Sequence, residues 1–126
     1  MDGNIVLACD AATSLPEALG HFLDKDTGSI YCLLSDRTQT EQFVNCIDKI
    51  YCGKYNKEMG TRVFFAYGDI VEERLVEKLR EQIHQRIKNV CYLYSRQVEE
   101  REEDIGLRNM SEYAKECKAS FHAVNI

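Results

Sequence analysis

The chain has little of what marks a disordered or linker-rich protein. It contains one proline and seven glycines in 126 residues, which argues against long flexible linkers. Its hydrophobic fraction of 44% and charged fraction of 29% are ordinary for a globular protein. We therefore expect a single domain over residues 1–126, long enough to bury a core without disulfide bonds or metal ions.

The sequence also lacks an excess of positive charge and any long apolar run. Sixteen lysines and arginines face 21 aspartates and glutamates, and a net charge of −5 disfavours a general nucleic-acid binder. No apolar stretch approaches the roughly 18 residues that a membrane-spanning helix needs. No secretory signal opens the chain. These features predict an intracellular protein with no membrane span and no direct nucleic-acid partner.

Cysteine, by contrast, is abundant. The six cysteines are Cys9, Cys32, Cys46, Cys52, Cys91 and Cys117. An even number allows a disulfide framework, but there is no CxxC pair, and Cys9, Cys32 and Cys91 lie inside apolar runs. This pattern favours buried, reduced thiols in a reducing compartment, the cytoplasm or the nucleus. The three histidines show no ligand-like spacing, so we expect no zinc site.

Short apolar runs alternate along the chain with segments whose apolar residues recur every three to four positions, the spacing of an amphipathic helix. The predicted strands are 4–9, 29–34, 62–67, 89–94 and 120–124. The predicted helices are 16–25, 38–51, 71–87 and 97–118. Apolar strands separated by helices indicate a parallel sheet that is covered on both faces. With right-handed crossovers, the pattern predicts an α/β fold, a Rossmann-like three-layer sandwich of about five parallel strands in the order 3-2-1-4-5.

A collinear set of short segments runs through this pattern. It comprises D-A-A-T-S-L-P at 10–16, I-Y-C-L-L at 30–34, G-D-I at 68–70, N-V-C-Y at 89–92, G-L-R-N-M-S-E-Y-A-K at 106–115 and F-H-A-V at 121–124. Together these segments resemble the extended short-chain dehydrogenase/reductases, in particular the fatty acyl-CoA reductase and thioester reductase branch. That family opens with T-G-A-T-G-F-L-G after its first strand. The resemblance covers nearly the whole chain and implies a degenerate, truncated NAD(P)-binding domain.

The resemblance also implies which positions once met the cofactor. These vestigial positions are Asp10, Thr13, Pro16, Arg37 and Asp69. The first three fall at the three glycines of the family's diphosphate-binding turn. Asp69 falls at the aspartate that contacts adenine in the family, and Arg37 lies close to the arginine that meets the 2′-phosphate.

Replacing all three glycines has physical consequences for the turn. Asp10 brings a Cβ into a tight turn and places a carboxylate where a diphosphate would lie. Thr13 adds a branched side chain where backbone must approach the ligand closely. Pro16 is bulky, but it suits the first turn of a helix that Thr13 or Ser14 can cap. The sequence therefore predicts a well-formed turn without a phosphate cradle, and no bound cofactor.

The family's catalytic residues also lack counterparts. Asn125 stands near the place of the catalytic serine, and the sequence ends at Ile126 before a Y-x-x-x-K could occur. We therefore expect no enzyme but a pseudoenzyme, a scaffold that acts as a protein–protein interaction or dimerisation module. Its candidate interaction residues are Ile105, Tyr113, Phe121, His122 and Val124.

Other interpretations of the same residues stay open. The chain could be a residual NAD(P)- or nucleotide-binding regulatory domain, or a reductase fragment, that uses Arg37, Asp69 and the turn at 10–14. A phosphoacceptor receiver would use Asp10, Asp36 and Asp69, although its lysine after strand five is not evident. Among simpler roles, Asp69 could cap the following helix, Arg37 could be merely solvated, and His122 could be packed or hydrogen-bonded.

Overall fold

The described part of the chain contains five strands and three helices. A computed structural model describes residues 1–10, 13–22, 26–35, 37–38, 40–41, 63–95 and 100–125. Its strands are β1 (Gly3–Cys9), β2 (Thr27–Leu34), β3 (Val63–Tyr67), β4 (Asn89–Tyr94) and β5 (Ser120–Asn125). Its helices are α1 (Leu15–Phe22), α2 (Leu75–Gln82) and α3 (Glu100–Cys117). None of the helices within these ranges has the length and apolar content needed to cross a membrane.

Some predictions fall on residues that lie outside this description. The predicted helix at 38–51 is described only at 38, 40 and 41, so nothing further is said of it. Asp36, Cys46 and Cys52 also lie outside the described residues. Residues 23–25, 62 and 97–99, at the ends of other predicted elements, lie outside the description as well. The rest of each predicted strand overlaps its observed strand closely.

The five strands form one parallel sheet in the order β3-β2-β1-β4-β5, which confirms the predicted fold class and strand order. Leu7 of the central strand is aligned with Cys32 of β2 on one side and with Cys91 of β4 on the other. From β1 the chain builds outward to β3, then returns across the sheet to add β4 and β5. The direction of building therefore reverses between β1 and β4, which makes this boundary the topological switch point.

The sheet carries a core on each face. Ile5 and Leu7 of β1 pack with Leu19 of α1 on one face, whereas Val6 packs with Leu79 of α2 on the other. Successive side chains of a strand point to opposite faces, so a strand covered on both sides must be apolar throughout. This is why β1 appears in the sequence as an unbroken apolar run.

The helix predicted at 71–87 is shorter than expected, because α2 ends at Gln82. Ile83 has an extended backbone, with φ of −114° and ψ of 113°, although its N–H still donates to the carbonyl of Leu79 at 2.9 Å. Ile83 and Ile87 are nevertheless buried in the core. An extended segment that leads into β4 can bury residues four apart just as a helix does, which is why the spacing overestimated the helix.

The thiols behave as packed core residues. Cys9, Cys32, Cys91 and Cys117 are free, and Cys32 and Cys91 are fully buried. Burial raises the pKa of the Cys9 and Cys91 thiols to about 12, because the thiolate would lose its hydration. The prediction that cysteines in the strands are buried is confirmed for Cys32 and Cys91, and their reduced state stays a prediction.

The packing of α3 against β4 can be tested at Gly106. A Cβ at this position would lie 2.6 Å from the Tyr92 hydroxyl oxygen and 3.2 Å from Cγ1 of Ile70. We expect Gly106→Ala to lower the free energy of unfolding by about 1–3 kcal/mol, because the core would be overpacked. Urea unfolding monitored by circular dichroism would measure the change.

Gly20 of α1 provides the matched control, since a Cβ there meets nothing within 4 Å. Gly20→Ala should raise the free energy of unfolding by about 0.5–1 kcal/mol through helix propensity alone. A Gly106→Ala protein as stable as the wild type would show that α3 does not pack on β4 in this way.

Candidate functional site

The carboxyl ends of the strands meet at one edge of the sheet. In open parallel sheets, ligands bind in the crevice at this edge where the strand order reverses. Here the reversal lies between β1 and β4, so Asp10 after β1 and Ser95 after β4 flank the crevice. The candidate site is therefore built on the turns that follow β1, β2, β3 and β4.

The side chain of Asp10 spans the switch point. One carboxylate oxygen, Oδ1, accepts a hydrogen bond from the backbone N–H of Thr13 at 2.9 Å. The other, Oδ2, accepts one from the backbone N–H of Ser95 at 2.7 Å. The Asp10 N–H donates to the carbonyl of Leu93 at 3.3 Å, and the residue is only 5% exposed. One buried carboxylate thus ties the end of β1 to the end of β4.

Helix α1 begins with a standard polar cap. The Glu17 N–H donates to Oγ of Ser14 at 3.4 Å, and the Ala18 N–H donates to the Ser14 carbonyl at 3.1 Å. Ser14 and Glu17 have the spacing of a capping box. Pro16 is the second residue of the helix, where no intrahelical partner is lost with the missing N–H. The prediction that Thr13 or Ser14 caps this helix is confirmed for Ser14.

Thr13 lies between Asp10 and the cap and is 5% exposed. Its Oγ1 is buried, and it has no hydrogen-bond partner among the described residues. The branched side chain therefore takes up space next to the turn. At the second glycine position of a phosphate-binding turn, that space is left open for the ligand.

The described residues of the turn do not fit the diphosphate of the dinucleotide that this fold implies. A diphosphate at this place is held by backbone N–H groups at the start of the helix, with glycines that let it approach. Here the N–H groups of Thr13 and Ser95 already donate to Asp10. The carboxylate also adds negative charge where the phosphates would lie.

A second group of side chains lies at the ends of β2 and β3. The guanidinium carbon of Arg37 lies 5.1 Å from the centroid of the Tyr67 ring, within cation–π distance. The Tyr67 hydroxyl is hydrogen-bonded to the Thr40 hydroxyl at 3.0 Å. Pairing with β2 continues one residue past the end of β3, since the Gly68 N–H donates to the Leu34 carbonyl at 2.9 Å. Arg37 is exposed, so its planar, permanently charged group faces solvent next to a fixed ring.

Asp69 closes the turn after β3. Its Oδ1 accepts a hydrogen bond from the Val71 N–H at 3.1 Å, and its own N–H donates to Oε1 of Glu72 at 2.6 Å. Helix α2 begins only after Arg74, the N-cap residue, which makes no side-chain cap bond. The interpretation of Asp69 as a helix cap is therefore wrong, because the chain completes a separate turn before the helix starts. The Asp69 side chain is exposed at the same edge as Arg37.

The residues predicted to form an interaction surface lie on α3 and β5. Ile105, Phe121, His122 and Val124 are half-buried. Tyr113 is only 3% exposed and belongs to the core, so the expectation that it faces a partner is corrected. His122 lies 2.9 Å from Oδ1 of Asn89 through Nε2, which confirms its hydrogen-bonded interpretation. An interaction role for the four half-buried residues stays a prediction.

Sequence reasoning missed two members of the site. Ser95 takes part through its backbone N–H, and no pattern in the sequence marks a main-chain donor. Tyr67 is the last residue of β3, and its role as a platform for Arg37 depends on the pairing of β2 with β3. An aromatic residue at the carboxyl end of a predicted strand was the available signal.

Comparison with known proteins supports the fold. No protein-family model and no curated protein matches the sequence. The reductase domain of the aureusimine biosynthetic cluster is similar in structure, with a TM-score of 0.55 and 13% identity over 98% of this chain and 33% of that one. The terminal R domain of the myxalamid PKS-NRPS pathway has a TM-score of 0.58 and 22% identity over 95% of this chain and 33% of that one.

The chain thus has the Rossmann-like fold of these reductase domains. The resemblance to reductases that the sequence predicted is confirmed at the level of the fold. The chain spans about a third of the length of each domain that it matches.

The bridge made by Asp10 leads to a stability prediction. Asp10→Ala should lower the free energy of unfolding by about 1–3 kcal/mol, because the Ser95 N–H loses its acceptor near the core. Asp10→Asn keeps one acceptor oxygen and should lose less. Hydrogen exchange at the Ser95 amide, followed by NMR, should accelerate in both variants.

Glu73→Ala, at an exposed position, serves as the control and should change stability by no more than about 0.5 kcal/mol. Unchanged exchange at Ser95 in Asp10→Ala would contradict the bridge.

Proposed function

We propose that this chain is the nucleotide-binding segment of a reductase-type protein and that it holds an adenine nucleotide at the carboxyl ends of β2 and β3. The observation that carries the proposal is the pairing of Arg37 with Tyr67 at the edge of the sheet where ligands of this fold bind. The likeness to two reductase domains supports it.

The chemistry of the group at β2 and β3 suits such a ligand. An arginine held over an aromatic ring presents a flat surface for a base and a row of N–H donors for a phosphate. Tyr67 is anchored by Thr40 through its hydroxyl, so the ring that supports Arg37 is held in place. The Asp69 carboxylate can accept a hydrogen bond from a ribose hydroxyl or from the adenine amino group.

We expect no hydride transfer by residues 1–126 alone. The sequence contains neither a Y-x-x-x-K pair nor a serine after β5 that could act with one. We expect this segment to bind its nucleotide without transferring a hydride. A reductase activity of a longer protein would draw its catalytic residues from outside these 126 positions.

Binding can be tested by isothermal titration calorimetry with NADP⁺, NAD⁺ and adenosine 2′-monophosphate. We expect adenosine 2′-monophosphate to bind and Arg37→Ala to weaken it about tenfold or more, because a charge-assisted hydrogen bond to phosphate is lost. Arg108→Ala, which removes an exposed arginine from α3, is the control and should have no effect. Absence of binding by all three ligands would contradict the proposal.

A protein-interaction role is the second candidate function. Phe64 lies on β3, an edge strand of the described sheet, and is 41% exposed. Its ring stacks on Tyr31 at a centroid distance of 5.2 Å, so a rigid aromatic surface stands at the sheet edge. Exposed apolar surface next to a strand edge favours association with a second copy or with a partner protein.

Sedimentation velocity over a concentration series would test this second candidate. If the Phe64 surface mediates dimerisation, the wild type should sediment as a dimer and Phe64→Ser should shift it to the monomer. Ala123→Ser, on an exposed position of β5, should leave the distribution unchanged. A wild-type protein that stays monomeric throughout and recovers no partner from cells would count against the interaction role.

A further inference from the structure

We infer that this nucleotide site excludes diphosphates, so that its ligands are adenine nucleosides and nucleoside monophosphates whose phosphate faces Arg37. This inference rests on the proposed function and narrows the ligand class of the same site. It follows from three properties of Asp10 and its neighbours at the switch point.

The first property is that two backbone donors at the switch point, the N–H groups of Thr13 and Ser95, are already used. The N–H groups of Thr13 and Ser95 point at the two oxygens of one carboxylate, at 2.9 Å and 2.7 Å. A phosphate that used these donors would have to take the positions of the Asp10 oxygens. The carboxylate thus stands in for the anionic group that the fold would otherwise take from a ligand.

The second property is the negative charge of the Asp10 carboxylate. A diphosphate beside Asp10 would bring like charges together in a setting that is 5% exposed and therefore poorly screened. Repulsion built into a site is an effective way to reject one class of ligand while accepting a related one. Here it rejects ligands that place a phosphate over the turn after β1.

The third property is that a side-chain hydrogen bond spans the switch point. A dinucleotide bound at a switch point runs from the β2 side across β1 to the β4 side. The bonds from Asp10 to Ser95 and from the Asp10 N–H to Leu93 join these two sides directly. The buried side chain of Thr13 fills space beside the same path. Arg37 and Tyr67 lie on the β2–β3 side, so a ligand that ends before the crossing can still use them.

The wild-type protein supplies the first test. Calorimetric titration would compare NADP⁺ with adenosine 2′-monophosphate, which shares the adenosine and the 2′-phosphate but lacks the diphosphate. We expect the mononucleotide to bind as tightly as NADP⁺ or more tightly. NADP⁺ binding more than about tenfold tighter would overturn the exclusion of diphosphates and leave the proposed function standing.

Asp10→Gly supplies the second test, because it removes the charge and frees the Ser95 N–H, while the Thr13 N–H keeps the backbone carbonyl of residue 10 as an acceptor. We expect its affinity for NADP⁺ to rise about tenfold or more, with affinity for adenosine 2′-monophosphate unchanged. Gly106→Ala, which is also destabilised but lies in α3, should show no gain. If Asp10→Gly fails to fold by circular dichroism, Asp10→Asn removes the same charge at similar size and should show a smaller gain.

The two hypotheses fail in different ways. Wild-type protein that binds neither nucleotide overturns the proposed function. In that case a gain of NADP⁺ binding by the Asp10 variant would still support the exclusion, whereas no gain would overturn it. If the wild type binds the mononucleotide but the Asp10 variant gains no affinity for NADP⁺, the exclusion of diphosphates is overturned and the proposed function stands.

Discussion

A buried carboxylate links the ends of β1 and β4 at the point where the fold would normally open for a ligand. Asp10 satisfies two backbone donors, one on each side of the switch point. Removing a buried acceptor leaves its donors without partners, which costs more than the bond contributes. The turn after β1, the cap of α1 and the end of β4 therefore form one connected unit.

This arrangement separates two functions that the fold usually combines. In a dinucleotide site, the turn after β1 takes the diphosphate while the ends of β2 and β3 take the adenosine. Here the Asp10 carboxylate accepts from two backbone donors in the first region, and Arg37 lies over Tyr67 in the second. Occupied donors at the turn after β1 do not by themselves prevent a base or a sugar from binding at the ends of β2 and β3. A nucleoside monophosphate is compatible both with Asp10 at the turn after β1 and with Arg37 over Tyr67.

The places where sequence reasoning failed have a common cause. The apolar spacing that led to an overestimate of the length of α2 shows only which residues are buried. Ile83 and Ile87 are buried without being helical. Asp69 precedes the apolar residues of α2 in the sequence, as a helix cap would, but a separate turn lies between Asp69 and the start of the helix. Tyr113 was predicted on a partner surface because the apolar face of a helix does not show whether it packs on the sheet or on another protein. In each case the sequence pattern identified buried or polar positions but not the elements that they contact.

The fold itself was determined by the sequence, because each buried strand had to be apolar on both faces and each crossover had to be right-handed. Local patterns therefore sufficed for the strand order and for the cap at Ser14. The sequence also showed that Asp10 brings a carboxylate to the turn. Only the tertiary structure decided what that carboxylate does, because its second donor, the Ser95 N–H, lies 85 residues away and is brought close by the pairing of β1 with β4.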